Sequence, residues 1–146
     1  MKSLLLICSL FFFTATAEWL TNFEEAKKIA KEKNEYILLN FSGSDWCGPC
    51  IRMKKEIFES DAFKQYATDH LVLVNADFPR SKKNKLSSLQ VKHNESLADQ
   101  FNPNGKFPFT VLIDQQGKVV KSWDGLPNSN ATEFVNQLKQ FNEPAR

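Results

Sequence analysis

Trp46-Cys47-Gly48-Pro49-Cys50 is the stretch on which the reading of this chain turns. Its thiols stand at the spacing that lets them close on each other where a helix begins. In such a pair the first sulfur, Cys47, sits over the unsatisfied N–H groups of the first helical turn, which stabilise its thiolate and lower its pKa. The thiolate is the attacking form, so Cys47 is expected to face solvent at the helical tip, with Cys50 placed to displace whatever it captures. Gly48 lets the backbone turn tightly beside an approaching substrate. Pro49 suits a helix start, where no N–H bond is needed. The motif therefore predicts a redox switch.

Working outward, Tyr36-Ile37-Leu38-Leu39-Asn40-Phe41 is a compact apolar run without charge, the pattern of a strand buried on both faces. Beyond Cys50, Met53, Ile57 and Phe58 supply a core-facing helical stripe among Arg52, Lys54, Lys55 and Glu56. The cysteines thus lie between a strand and a helix. Upstream, Thr21-Asn22-Phe23-Glu24 reads as a capping box, followed by Phe23, Ala26, Ile29 and Ala30 at helical spacing to near Asn34. Downstream, Ser60 to Thr68 is a short candidate helix and Leu71 to Asp77 another buried strand, and strands joined through a helix imply a parallel crossover. Pro79-Arg80-Ser81-Lys82-Lys83-Asn84-Lys85 is a polar, basic loop, read as a solvated connection, with docking of an acidic partner as the alternative. A helix from about Leu86 to Phe101 follows it. Phe109 to Ile113 and Lys118 to Trp123 flank Asp114-Gln115-Gln116-Gly117 and predict a hairpin, which makes the sheet mixed. Asn130-Ala131-Thr132-Glu133 opens a last helix with Phe134, Val135, Leu138 and Phe141 on its buried face.

The chain has 146 residues, a length that fits one globular domain with a sizeable core. Residues 1–17 differ from the rest. Lys2 is their only charge, Leu4 to Phe13 is almost continuously apolar, and Ala15-Thr16-Ala17 offers a small-x-small cleavage site before Glu18. This pattern predicts an export signal, leaving 18–146 as the mature domain in an extracytoplasmic, most naturally periplasmic, setting or secreted beyond it. The apolar run is shorter than the roughly 20 residues of a spanning helix, and Ile7 before Cys8 argues against lipid attachment. The formal charge of +2 would fall to about +1 on cleavage, too weak to imply nucleic-acid or membrane binding. Removal of Cys8 would leave only Cys47 and Cys50, whose bridge closes too short a loop to constrain the unfolded chain much. Its value is chemical.

The five-residue motif between strand and helix, the order of elements, and Pro108 before a later strand together resemble the thioredoxin superfamily, in particular its exported bacterial thioredoxin-like members. The resemblance covers nearly all of the chain after the export segment. It implies the thioredoxin fold, an α/β architecture with a central mixed β-sheet flanked by α-helices. It also implies a cis bond at Pro108, a Phe107 backbone free to pair with an extended substrate segment, a Trp46 rim beside the motif, and Gly125 near the substrate groove. Three departures stand out. Asn40 occupies the position where the family often has a buried acid that accepts the proton of the second cysteine, and an amide cannot do this. The loop Ser42-Gly43-Ser44-Asp45 is longer than in short cytosolic members and brings Asp45 near Cys47, where a carboxylate facing the sulfur would oppose its ionisation. The stretch from Cys50 to Pro108 is long and carries the basic loop.

The activity implied is thiol-disulfide exchange: Cys47 attacks a substrate disulfide and Cys50 resolves the mixed disulfide, with no bound cofactor. Partners are then disulfide-containing proteins and a membrane or other extracytoplasmic electron donor, with no nucleic acid and a monomeric protein. Gly48-Pro49 resembles the dipeptide of reducing members. A disulfide oxidant or isomerase is the alternative within this chemistry. From other classes come a metal-binding module using His70 or His93 with the cysteines, and a passive peptide-binding domain. Two cysteines make only half of a usual structural zinc site, so no metal is expected.

Overall fold

The computed structural model describes residues 16–142. The apolar run Leu4 to Phe13, Cys8 and Ala15 lie outside the described residues. In chain order the elements are β1 (Trp19–Leu20), α1 (Phe23–Lys33), β2 (Tyr36–Ser42), α2 (Gly48–Met53), α3 (Asp61–His70), β3 (Leu71–Asp77), α4 (Ser88–Phe101), β4 (Phe109–Ile113), β5 (Val119–Asp124) and α5 (Ala131–Asn142). α2 runs on into a wide π turn over Lys54–Phe58, and a single 3₁₀ turn, Lys82–Asn84, sits in the basic loop.

The strands form one mixed sheet in the order β1-β3-β2-β4-β5. β1 and β2 run parallel to β3, whereas β4 runs antiparallel to both β2 and β5. Alternation along β2 divides the core. Leu38 points to the face where Leu73 and Leu112 pack under Met53, Ile57, Phe63, Phe134 and Leu138. Ile37, Leu39 and Phe41 point to the other face, where Phe23, Ala26, Ala30 and Leu97 cover them. Helices α2, α3 and α5 thus close one side and α1 and α4 the other, which is why β2 is apolar at nearly every position.

Several local expectations needed correction. The cap of α1 is Asn22, not Thr21: its Oδ1 accepts from the N–H groups of Glu24 and Glu25, at 3.0 and 3.2 Å. The N–H of Phe23 donates to Nε2 of His93 at 3.1 Å, so that helix end is satisfied from two sides. α4 begins at Ser88 rather than Leu86, with Ser87 as its cap, and α3 runs on to His70. β1 was not foreseen. It is two residues long, too short for any periodic signature, and is held by Trp19 packing on Phe58 at 4.9 Å. The reciprocal cap of α5 holds as read: Asn130 Oδ1 accepts from Glu133 N–H, and Glu133 Oε2 accepts from Asn130 N–H.

Candidate active site

The carboxyl end of β2 delivers the chain into the loop that carries the cysteines. Both the Trp46 and Cys47 N–H groups fold back onto the Gly43 carbonyl, at 3.2 and 2.9 Å, and this double bond to one oxygen sets the turn into α2. Cys47 is the N-cap of α2, Gly48 its first residue, and Pro49 falls in the first turn. Cys47 and Cys50 are joined in a disulfide with their Cα atoms 5.2 Å apart. The Cys50 N–H donates to Cys47 Sγ at 3.3 Å. One of the orphan donors of the helix start is therefore aimed at the sulfur that would carry negative charge after reduction.

The expectation of an open sulfur is corrected. Cys47 is only 5 % exposed and Cys50 3 %, so neither sulfur of the bonded pair stands open to solvent. Gly48 and Pro49 are the exposed members of the motif. Any approach to Cys47 is therefore bounded by the residues around it.

The other predicted residues stand in the segments around the motif. The Phe107–Pro108 peptide bond is cis. Pairing of Phe41 with Phe109 and of Asn40 with Thr110 sets the start of β4, and the cis bond just before it, beside the end of β2. Gly125, at φ +78°, donates its N–H to the Pro108 carbonyl at 2.9 Å, a conformation that glycine adopts without a Cβ penalty. Asn102, missed in the sequence, pins the preceding turn: its side chain accepts from Lys106 N–H at 3.0 Å and donates to the Lys106 carbonyl at 2.8 Å. The ring of Phe107 meets Trp46 edge-on at 5.5 Å, so the groove wall and the motif touch directly.

Trp46 is more than an apolar rim. Its Nε1–H donates to the Phe78 carbonyl at 2.7 Å, and the guanidinium of Arg80 lies over the ring at 3.7 Å. Its indole packs against the α-carbon of Gly43, where an added Cβ would come within 2.3 Å of the ring. Neither Gly43 nor Arg80 was singled out beforehand: the turn that folds Trp46 back over Gly43 has no periodic signature, and the contact of Trp46 with Arg80, 34 residues on, leaves no trace in spacing.

Asp45 turns away from the role considered for it. Its carboxylate accepts from the N–H groups of Arg80 and Ser81, both at 2.9 Å, and from Asn84 Nδ2 at 2.9 Å. These bonds, that from the Arg80 backbone foremost, hold its pKa below the ordinary aspartate value. The charge is spent on fixing the basic loop.

Behind the disulfide lies a cavity of about 960 Å³, lined by Cys50, Asn40, Ser42 and Asn75 with Lys54 and Glu59 among its other walls. Asn40 Oδ1 accepts from the Thr110 hydroxyl at 3.0 Å, and its Nδ2 donates to Asn75 Oδ1 at 3.4 Å. The histidines stand apart from the cysteines. His93 caps α1, and His70 stacks on Tyr66 at 4.6 Å. Among the described residues no three metal-ligating side chains gather.

The thioredoxin-like domain family matches residues 23–142. The disulfide bond reductase DsbH of Chlamydia pneumoniae is 36 % identical over 125 residues, which cover 86 % of this chain and 72 % of that protein. The thioredoxin-related protein DsbJ of the same organism is 28 % identical over 120 residues, covering 82 % of this chain but only 34 % of DsbJ. Among solved structures, a DsbH oxidoreductase superposes with a TM-score of 0.78 at 33 % identity, covering 87 % of this chain and 85 % of that one. A poplar thioredoxin h, at 14 % identity and a TM-score of 0.61 over 90 % of this chain and all of its own, shares the fold alone. With a matched family across most of its length, the α/β sheet that family builds, and a reactive pair at the helix start, the chain belongs to the thioredoxin-like family and is a thiol-disulfide oxidoreductase of the thioredoxin superfamily.

Proposed function

We propose that this protein reduces disulfides of proteins outside the cytoplasm, with residues 1–17 as a cleaved export segment and 18–146 as the mature enzyme. The observation that carries the reading is the Cys50 N–H directed at Cys47 Sγ at a helix start, because that donor favours the thiolate over the thiol. In the reduced protein the Cys47 thiolate attacks one sulfur of a substrate disulfide. A new S–S bond forms to Cys47, and the other substrate sulfur departs as thiolate. Cys50, losing its proton to water in the cavity behind it, then attacks Cys47 Sγ and releases the second substrate thiolate. Two electrons have passed to the substrate and Cys47–Cys50 is oxidised. A dithiol donor on the same side of the membrane returns it to the reduced state. The exchange needs no bound cofactor.

Phe107 and Pro108 would offer backbone to an extended substrate segment, Trp46 one wall of its path, and Gly125 the fixed support of the cis bond. The reductive direction is favoured by the Gly48-Pro49 dipeptide and by the name of the DsbH relative. No described helix is long and apolar enough to cross a membrane.

The test pairs two variants on a disulfide protein such as insulin. Cys47→Ser is expected to abolish reduction, and Cys50→Ser to accumulate a covalent mixed disulfide separable without reductant. Activity surviving in Cys47→Ser, or no adduct from a folded Cys50→Ser protein, overturns exchange. Equilibration with glutathione that places the pair among strong oxidants overturns the reductive direction.

A further inference from the structure

A cleft of about 610 Å³ opens beside Trp46, with neither cysteine in its lining. Its apolar walls are Trp46, Phe78, Phe107, Leu86 and Val91, the last 38 % exposed on α4. Trp46 is the neighbour of Cys47 in the chain and Phe107 precedes the cis bond, so two of these walls belong to the segments that surround the motif; Trp46 meets Phe107 at 5.5 Å and Phe78 meets Phe107 at 5.4 Å. The rim is basic: Arg80, Lys82 and Lys85 line it and Lys83 stands just outside. No ion pair among the described residues joins any of these four cations.

Two carboxylates stand at this loop, and both are bonded to neutral donors: Asp45 to the loop's own, and Asp77 to Ser44 N–H at 2.9 Å, the Ser44 hydroxyl at 2.5 Å and Phe78 N–H at 3.0 Å, so four cations face two acids and the rim stays positive. A chain whose total formal charge is only +2 thus concentrates unpaired cations on one edge of its groove. Asp45 pins the loop through three bonds and the Arg80 guanidinium is stacked on Trp46, so the charges are presented from an ordered frame.

We propose that this cleft is a specificity subsite, which takes an extended acidic segment flanking the target disulfide of a substrate protein and seats an apolar residue of that segment on the aromatic floor. The inference rests on the exchange reading above and names the substrate class of the same site. Charge complementarity supplies the selection, and it acts on encounter as well as on residence.

The experiment compares reduction of two peptides with the same disulfide and one flanking leucine, one extended by four aspartates and glutamates, the other by four serines. A third peptide carries lysines. The native sequence is expected to reduce the acidic peptide about tenfold faster in kcat/KM than the serine peptide at low ionic strength, with the lysine peptide slowest and the differences shrinking as salt is added. In the Lys82→Gln/Lys85→Gln double variant the acidic preference should fall to about threefold or less, while Lys83→Gln, outside the cleft, should keep most of it. Equal rates on all three peptides, a preference untouched in the double variant, or a loss just as large in Lys83→Gln would each overturn the subsite. Equal peptide rates together with tight binding to phosphatidylglycerol vesicles would give the cations to a membrane surface instead. Failure to reduce any of the peptides would strike at the exchange reading itself.

Discussion

At the residue scale, Asn40 bears on the second half of the proposed exchange. It is 7 % exposed, bonded to Thr110 and Asn75, and lines the same cavity as Cys50, so an acid here would share that space with the second sulfur, whereas an amide cannot take a proton. Asn40→Asp would place a carboxylate there, with burial pushing its pKa above the ordinary range. Single-turnover resolution should then become about three- to tenfold faster at neutral pH and acquire an added ionisation that the native profile lacks. Identical pH profiles for the two proteins would show that a carboxylate at position 40 does not take up the Cys50 proton. Gly43 acts through Trp46. A Cβ at 2.3 Å from an indole that is bonded to Phe78 and packed on Phe107 cannot be absorbed by a small shift. Gly43→Ala should cost about 1–3 kcal/mol in denaturant melts and raise KM for peptide disulfides more than for a small-molecule disulfide.

At the scale of elements, the basic loop depends on Asp45. Because its folded-state pKa lies below the unfolded value, ionised Asp45 adds stability that is complete above the ordinary carboxylate range and is lost as pH falls through the depressed value. Amide exchange at Arg80 and Ser81 should therefore quicken at acid pH relative to the sheet, and Asp45→Asn should show that loosened loop already at neutral pH. Unchanged protection in the variant would mean that the loop is held by other contacts. The same loop shows where the sequence stops being informative. β2 and β3 were legible because burial on both faces demands unbroken apolar runs, and α1 and α5 because their apolar faces recur at helical spacing. The disulfide was legible because its partners are neighbours. The cis bond at Pro108 came through resemblance alone, since nothing in Phe107-Pro108 distinguishes cis from trans. Arg80 over Trp46 and Asp45 tied to Ser81 are meetings of separate loops, decided by how strands align, and Gly43 under Trp46 follows from the turn that one loop takes. The π turn of Lys54–Phe58 was hidden too, because Ile57 and Phe58 fit the stripe of a regular helix equally well.

At the scale of the whole molecule, strand order gathers the site at one end of the sheet: the carboxyl end of β2, the start of β4 and the close of β5, where Phe109 pairs with Asp124. The groove therefore exists only when β4 has found β2 across some 70 residues of chain, a distant pairing that is slow and entropically costly to make. The disulfide has no such requirement, since its cysteines are separated by 3 in sequence. Shape and sulfur chemistry are thereby separable. In guanidinium the reduced chain should still be alkylated, but with a pH midpoint returned to the free-cysteine value of about 8.5, whereas the native protein should react at lower pH. Alkylation profiles across the unfolding transition would register the change, and a midpoint indifferent to unfolding would deny the helix start any influence on Cys47. Melting this molecule leaves a blunt reagent: electrons still travel from sulfur to sulfur, but no architecture remains to choose which bond they cut.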